Sequence, residues 1–203
     1  MMRMGWMITG IVLALCSWQA SAKALSDSAL YYESGMSRVV SSAVFAEALA
    51  NYRKVQDQHR PVLTIIDYSK PSNQKRLFIL DVQHGQLLFS TWVSHGRNSG
   101  DERAYAFSDQ PNSLQSSLGL YRTGETYLGK YGYSLRLDGL TPGKNLNARR
   151  RDIVLHGAPY ASPDHIRRFG KLGRSWGCPA VPLEQANRII ELIKGGSIIY
   201  AHG

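Results

Sequence analysis

One thiol and one imidazole stand out among the side chains able to do chemistry. Cys178 lies in Ser175-Trp176-Gly177-Cys178-Pro179, and His156 lies in Leu155-His156-Gly157. A protonated thiol is a poor nucleophile, because its unperturbed pKa of about 8.5 leaves only a few per cent thiolate near neutrality. An imidazole within hydrogen-bond reach removes that proton and later returns it to a leaving group. Gly177 lets the backbone turn tightly enough to aim two amide N–H groups at a developing oxyanion. Spacing alone does not decide the matter, since six histidines make some His and Cys separation of this size unsurprising. A buried, inert cysteine fits the same residue. Ser175 is set aside as a nucleophile, because a charged Arg174 precedes it and Cys178 follows three residues on. His156, His165 and Cys178 can be drawn as a zinc site on paper, but neither Cys-x-x-Cys nor His-Glu-x-x-His occurs. No metal and no cofactor is expected.

The elements that must position this pair are read from periodicity. Val40, Val44, Phe45, Leu49 and Tyr52 are spaced by three or four and predict an amphipathic helix over Ser37–Gln58, ending before Pro61. Beyond it the period changes. Val62–Tyr68, Leu77–Val82 and Leu87–Ser94 are short runs rich in β-branched and aromatic residues, and they predict a strand followed by a hairpin. Further strands are expected at Leu118–Arg122, Ser134–Asp138, Asp152–His156 and Ser197–His202, with a helix over Leu183–Ile193 stopped by Gly195-Gly196. His156 then ends a strand and faces the loop that follows. Two long connections, His95–Ser116 and Ala158–Trp176, lack a clear period apart from a short helix near Asp164–Phe169. Connections of that length in a compact domain are lids or insertions. The expected organisation is an export signal over 1–22, a helical extension over 23–60 and one β-rich domain over 61–203.

The signal is read from Arg3, the apolar Trp6–Cys16 and the small-residue pattern Ala20-Ser21-Ala22. Its removal after Ala22 would take Cys16 with it and leave Cys178 as the sole cysteine, which rules out an intramolecular disulfide. A periplasmic or cell-envelope location is expected, with membrane contact only during export. The 203 residues are 43% hydrophobic and 19% charged, which excludes a disordered chain. The net charge of +9 favours anionic partners. Nucleic acid is not among those expected: nothing matches a recognition helix, and Arg149-Arg150-Arg151 is read as a solvated loop face.

Several blocks together resemble a known family. Leu155-His156-Gly157-Ala158, Gly173-Arg174-Ser175-Trp176-Gly177-Cys178-Pro179-Ala180-Val181, Ser94-His95-Gly96, Ser116-Ser117-Leu118-Gly119, Gly124-Glu125-Thr126-Tyr127 and Ser134–Leu140 resemble blocks of a divergent branch of the L,D-transpeptidase catalytic domain family (YkuD-like). The resemblance implies a mainly β fold, a sandwich or barrel with flanking helices behind the N-terminal helical extension. It also implies a cysteine acyltransferase acting on the stem peptides of peptidoglycan. Cys178 would be the nucleophile, His156 the base and acid, Gly157 the residue whose carbonyl orients the imidazole, and Gly177 with Cys178 the oxyanion hole. The acyl group would pass to a stem amine, or to water in an L,D-carboxypeptidase, and β-lactams of the carbapenem type would be acylating inhibitors. The different-class alternative is a non-enzymatic peptidoglycan-binding envelope protein. Two departures matter: Trp176 stands where the family block has His, and Ala180 stands where it has Arg. Arg174 and Arg136 are the candidate carboxylate anchors, with Trp176, Ser175, His95 and Tyr133 as further candidates for contact with substrate.

Overall fold

The computed structural model describes residues 25–203; the expected export signal lies outside them. Eight strands form one sheet, ordered β3-β2-β1-β8-β4-β5-β6-β7. They are β1 (Val62–Asp67), β2 (Leu77–Asp81), β3 (Gln86–Thr91), β4 (Gly119–Gly129), β5 (Gly132–Gly139), β6 (Val154–Ala158), β7 (Ala180–Pro182) and β8 (Ile198–His202). Neighbours run antiparallel except β1 with β8 and β6 with β7. The edges approach each other, because Ser94, just beyond β3, bridges Ala180 of β7. The sheet is therefore a nearly closed barrel, and the protein is mainly β with flanking helices.

Strand alternation divides the apolar side chains between two cores. The inner one gathers Ile66, Ile79, Leu135, Leu137, Leu155 and Val181 around Ile189, Ile190 and Ile193 of α4 (Leu183–Ile193). Gly157 on β6 permits this approach: a Cβ there would stand 2.9 Å from both Ala186 Cβ and Leu183 Cδ1. The outer core packs Leu63, Ile65, Phe78, Leu80 and Ile198 against two N-terminal helices, α1 (Asp27–Glu33) and α2 (Ser42–Arg53).

The helix expected over Ser37–Gln58 is shorter than its apolar period. Ser41 takes the N-cap position and its Oγ accepts from Val44 N at 3.3 Å, so α2 starts at Ser42 behind a 3-10 turn at Met36–Arg38. A capping serine between two apolar positions divides what the period alone joins. The short helix in the second long connection is α3 (Pro163–Phe169), capped by Ser162 and closed by Gly170 at φ +75°. No described helix is long and apolar enough to cross a membrane.

Candidate functional site

Strand β6 carries the site. Leu155 points into the inner core, so Val154 and His156 point out of the opposite face. On that face opens a cleft of about 560 Å³ lined by His156, Cys178, Tyr127, Lys130, Tyr131, Arg151, Asp152, Val154, Tyr160, Arg174, Ser175 and Trp176. Cys178 and His156, 22 residues apart in sequence, are brought together by the parallel pairing of β6 with β7, in which His156 is opposite Ala180.

The thiol is half-buried. Its Sγ–H donates to Asp152 O at 3.5 Å, and Sγ accepts from Val154 N at 3.5 Å, with no hydrogen bond to His156. Burial pushes the thiol pKa up, against the Val154 N–H and the Arg151 and Lys130 cations, which pull it down. Burial also pushes His156 down, the Gly157 carbonyl opposing that shift and Lys130 adding to it. The resting pair is therefore neutral thiol and neutral imidazole near pH 7. His156 Nδ1 lies 2.9 Å from Gly157 O, an acceptor only, so Nδ1 carries the hydrogen and Nε2 the free lone pair.

Aromatic and basic groups cover the pair. Tyr131, at the tip of the β4–β5 hairpin, stacks on the imidazole with centroids 4.4 Å apart and planes 20° apart. Lys130 Nζ lies 4.9 Å from the Tyr131 ring centroid and 5.8 Å from that of Trp176. Trp176 is 67% exposed on the rim. Arg174 is also on the rim, held by Asp101 at 2.9 Å.

The loop before Cys178 reads Gly173-Arg174-Ser175-Trp176-Gly177, which satisfies Gly-x-Ser-x-Gly, but it lies in coil and not at a strand-to-helix elbow. The Ser175 hydroxyl is engaged within the loop: it donates to Cys178 O at 2.6 Å and accepts from Gly177 N at 3.1 Å. The Gly177 N–H expected in an oxyanion hole is therefore already engaged. Among the described residues the Cys178 N–H has no acceptor. Gly177 itself, at φ +123°, has no room for a Cβ, which would meet Gln115 O at 2.8 Å.

Three expected contact residues sit elsewhere. His95 does not line the cleft; it is buried behind it, with Nδ1 2.8 Å from Nη2 of the buried Arg76 and Nε2 3.3 Å from Gly100 O. A guanidinium can only donate, so Nδ1 accepts, and burial followed by the Arg76 charge pushes His95 down to about 4. Tyr133 faces the other side of the sheet and donates to Glu191 Oε1 at 2.8 Å. The register Ser134 opposite His156 puts Ser134 and Arg136 on the cleft side and Tyr133 off it. Arg136 is beside the cleft without lining it, stacked on Tyr127 at 4.6 Å and paired with Glu125 at 3.1 Å and Asp152 at 3.3 Å.

Sequence reasoning missed Arg151, Asp152, Lys130 and Tyr160. Arg151 belongs to the run read as a solvated loop face, yet its side chain is only 3% exposed. It donates to Ser108 O and Gln115 O, both at 2.6 Å, and so ties the first long connection to the cleft. Asp152 was read as the first residue of the strand that ends at His156, but β6 begins at Val154 and Asp152 reaches the cleft from the turn before it. Asp152 also holds a left-handed φ of +51°, uncommon for a residue with a side chain. Among the described residues, no group of three or more His, Cys, Asp or Glu side chains is placed to hold a metal ion.

Comparison with curated proteins gave no match. Solved structures similar to this chain include an L,D-transpeptidase from Mycobacterium smegmatis, 14% identical over 70% of this chain and 59% of that one, TM-score 0.43. L,D-transpeptidase 3 from Mycobacterium tuberculosis is 14% identical over 70% and 61%, TM-score 0.44. An L,D-transpeptidase in complex with imipenem is 13% identical over 70% and 58%, TM-score 0.42. The chain spans about six-tenths of the length of each. Residues 36–202 match the L,D-transpeptidase catalytic domain, a match that covers the whole barrel and reaches back to the 3-10 turn before α2, and the chain belongs to that family.

Proposed function

We propose that the protein is a murein L,D-transpeptidase that works through a thioacyl-enzyme on Cys178. The observation that carries this reading is the shared cleft: a half-buried thiol and an imidazole whose Nε2 lone pair is free line one cavity of about 560 Å³. The thiol turns from Asp152 O toward His156 Nε2, gives up its proton and attacks the carbonyl after the third, L-configured centre of a stem peptide. The Cys178 N–H meets the developing oxyanion. The C–N bond breaks, the terminal D-amino acid leaves with the proton held by His156, and a thioester remains on Sγ. An amine of a second stem gives its proton to His156, attacks the thioester and restores the thiol.

Stem carboxylates need cations, and Ala180 supplies none: it is fully buried in β7. Lys130 and Arg174 are the exposed cations that line the cleft, whereas the Arg151 side chain is buried. A neighbouring groove of about 380 Å³ shares Arg174 and Trp176 with the cleft, which gives a second stem a place to lie and favours transfer to an amine over hydrolysis. Carbapenem-type β-lactams present a strained carbonyl to the same thiol and are expected to acylate it. The reading also places the protein at the cell envelope, after export.

Incubation with purified tetrapeptide fragments of peptidoglycan tests it. Mass spectrometry should show released D-amino acid with cross-linked dimers that accumulate as fragment concentration rises. Tripeptide as the sole product at every concentration would make the protein an L,D-carboxypeptidase, and unchanged fragments would return it to a binding role.

A further inference from the structure

We propose that Ser116 is a positioning residue for acyl transfer: its hydroxyl fixes the Gly177–Cys178 peptide plane so that the Cys178 N–H faces the cleft as the oxyanion donor. This rests on the thioacyl chemistry proposed above. Ser116 is buried and does not line the cleft. Its Oγ accepts from Gly96 N at 3.0 Å and donates to Gly177 O at 3.2 Å, with the buried Tyr68 hydroxyl as a further hydrogen-bonding neighbour. A trans peptide is planar, with its C=O and N–H on opposite sides. Holding the Gly177 carbonyl on the Ser116 side therefore turns the Cys178 N–H to the other side, where among the described residues it has no acceptor. Ser175 fixes the same loop from its own side through Gly177 N and Cys178 O. The two serines together hold three of the four backbone polar groups of Gly177 and Cys178, and among the described residues the fourth, the Cys178 N–H, has no acceptor.

Backbone packing shows how closely this arrangement is built. A Cβ on Gly96 would stand 2.5 Å from Leu114 O and 2.9 Å from Ser116 N, and one on Gly177 would stand 2.8 Å from Gln115 O. Two glycines thus let residues 114–116 lie directly between the Gly96 turn and the nucleophile loop. The Ser116 backbone is fixed in turn, its N–H donating to Ser99 Oγ at 2.9 Å and its carbonyl accepting from Ser108 N at 3.0 Å. A hydroxyl held this rigidly constrains the carbonyl it touches.

Two reagents separate the oxyanion donor from the thiol itself. Iodoacetamide alkylates Sγ by displacement at a saturated carbon and needs no oxyanion donor, whereas p-nitrophenyl acetate acylates it through a tetrahedral oxyanion. In the full chain, Ser116→Ala should keep its alkylation rate within about twofold of wild type while its nitrophenolate burst slows roughly 10- to 100-fold, below the 10²–10³ cost of deleting a donor outright. Ser116→Thr, which keeps the hydroxyl, should recover most of the burst. Equal losses with both reagents, or a burst unchanged in Ser116→Ala, would overturn the proposal. Wild-type amide exchange gives a check free of any folding defect: the Cys178 N–H should exchange fast and the Gly177 N–H slowly, and a protected Cys178 amide contradicts the orientation. A wild-type protein that gives the ester burst yet leaves peptidoglycan fragments untouched would break the reading of the substrate without touching the role of Ser116.

Discussion

The two ends of the barrel are held together by different forces. Where α1 and α2 cover β1, β2 and β8, the buried residues include Leu30, Val44, Phe45, Leu49, Leu63, Ile65, Phe78 and Leu80, joined by apolar contact, with ion pairs such as Arg53–Asp27 and His202–Glu47 outside this packed layer. Around the cleft the buried residues include Ser94, His95, Ser99, Ser116, Ser175, His156 and Arg76, joined by hydrogen bonds to backbone groups. Apolar packing is non-directional and tolerates conservative change, whereas a hydrogen bond fixes an angle and is costly to leave half-made. The helical end supplies stability and the polar end supplies geometry. Substitutions at the two ends should therefore fail in different ways.

The largest difference is expected from Cys178→Ala. It should abolish product formation while shifting the thermal midpoint by no more than a few degrees, as a change of about 1 kcal/mol would. Any retained turnover contradicts the assignment. His156→Gln comes next, with a rate loss of roughly 10²- to 10⁴-fold, the range for removing a general acid and base. His95→Gln should keep most of the activity, because an amide can accept from Arg76 and donate to Gly100 O as the imidazole does. If His95→Gln is inactive and His156→Gln is not, the base is His95. At the helical end the sign of the effect reverses: Leu49→Ala should cost about 2–5 kcal/mol in chemical denaturation and leave kcat near wild type. A variant of Leu49 that lost kcat while folded would erase the distinction between the two ends.

The smallest expected effect is on pH. His95 and His156 are both pushed below the ordinary histidine range, His95 to about 4. Below pH about 6.5 the unfolded chain takes up protons that the folded chain refuses, so stability falls with acidification and the His95 share of that loss levels off near pH 4. His95→Gln should flatten this slope between pH 6.5 and 4, and the same slope in wild type and variant would place the proton uptake elsewhere. Activity should also fall with acid, since protonated His156 cannot act as a base.

This division also explains what the sequence disclosed. Apolar period is a statement about packing, so α4, stopped by Gly195 and Gly196 at positive φ, and the paired β1 and β2 were legible. Strand β7 was not, because three residues, Ala-Val-Pro, are too few to show a period. Cys178 and His156 were singled out as candidates by their neighbours in the motif, and the structure sets both on one cleft. Arg151 was hidden in a run of like charges, and Ser116 in a connection without period. Both act through hydrogen bonds to carbonyls far along the chain, and no local pattern reports such bonds. Tyr133 teaches the opposite: side chains alternate along β5, so its position next to Ser134 is enough to put it on the face away from His156.

One measurement bears most directly on the claim that the polar end builds a thioacyl-enzyme. Wild-type protein, Cys178→Ala and His156→Gln are each mixed with a carbapenem, and intact mass is followed in time with peptide mapping at the end. Expected is one adduct per chain in wild type, mapped to Cys178, formed far more slowly in His156→Gln and absent from Cys178→Ala. A wild-type protein that stays unmodified, or an adduct that persists in Cys178→Ala, would contradict it.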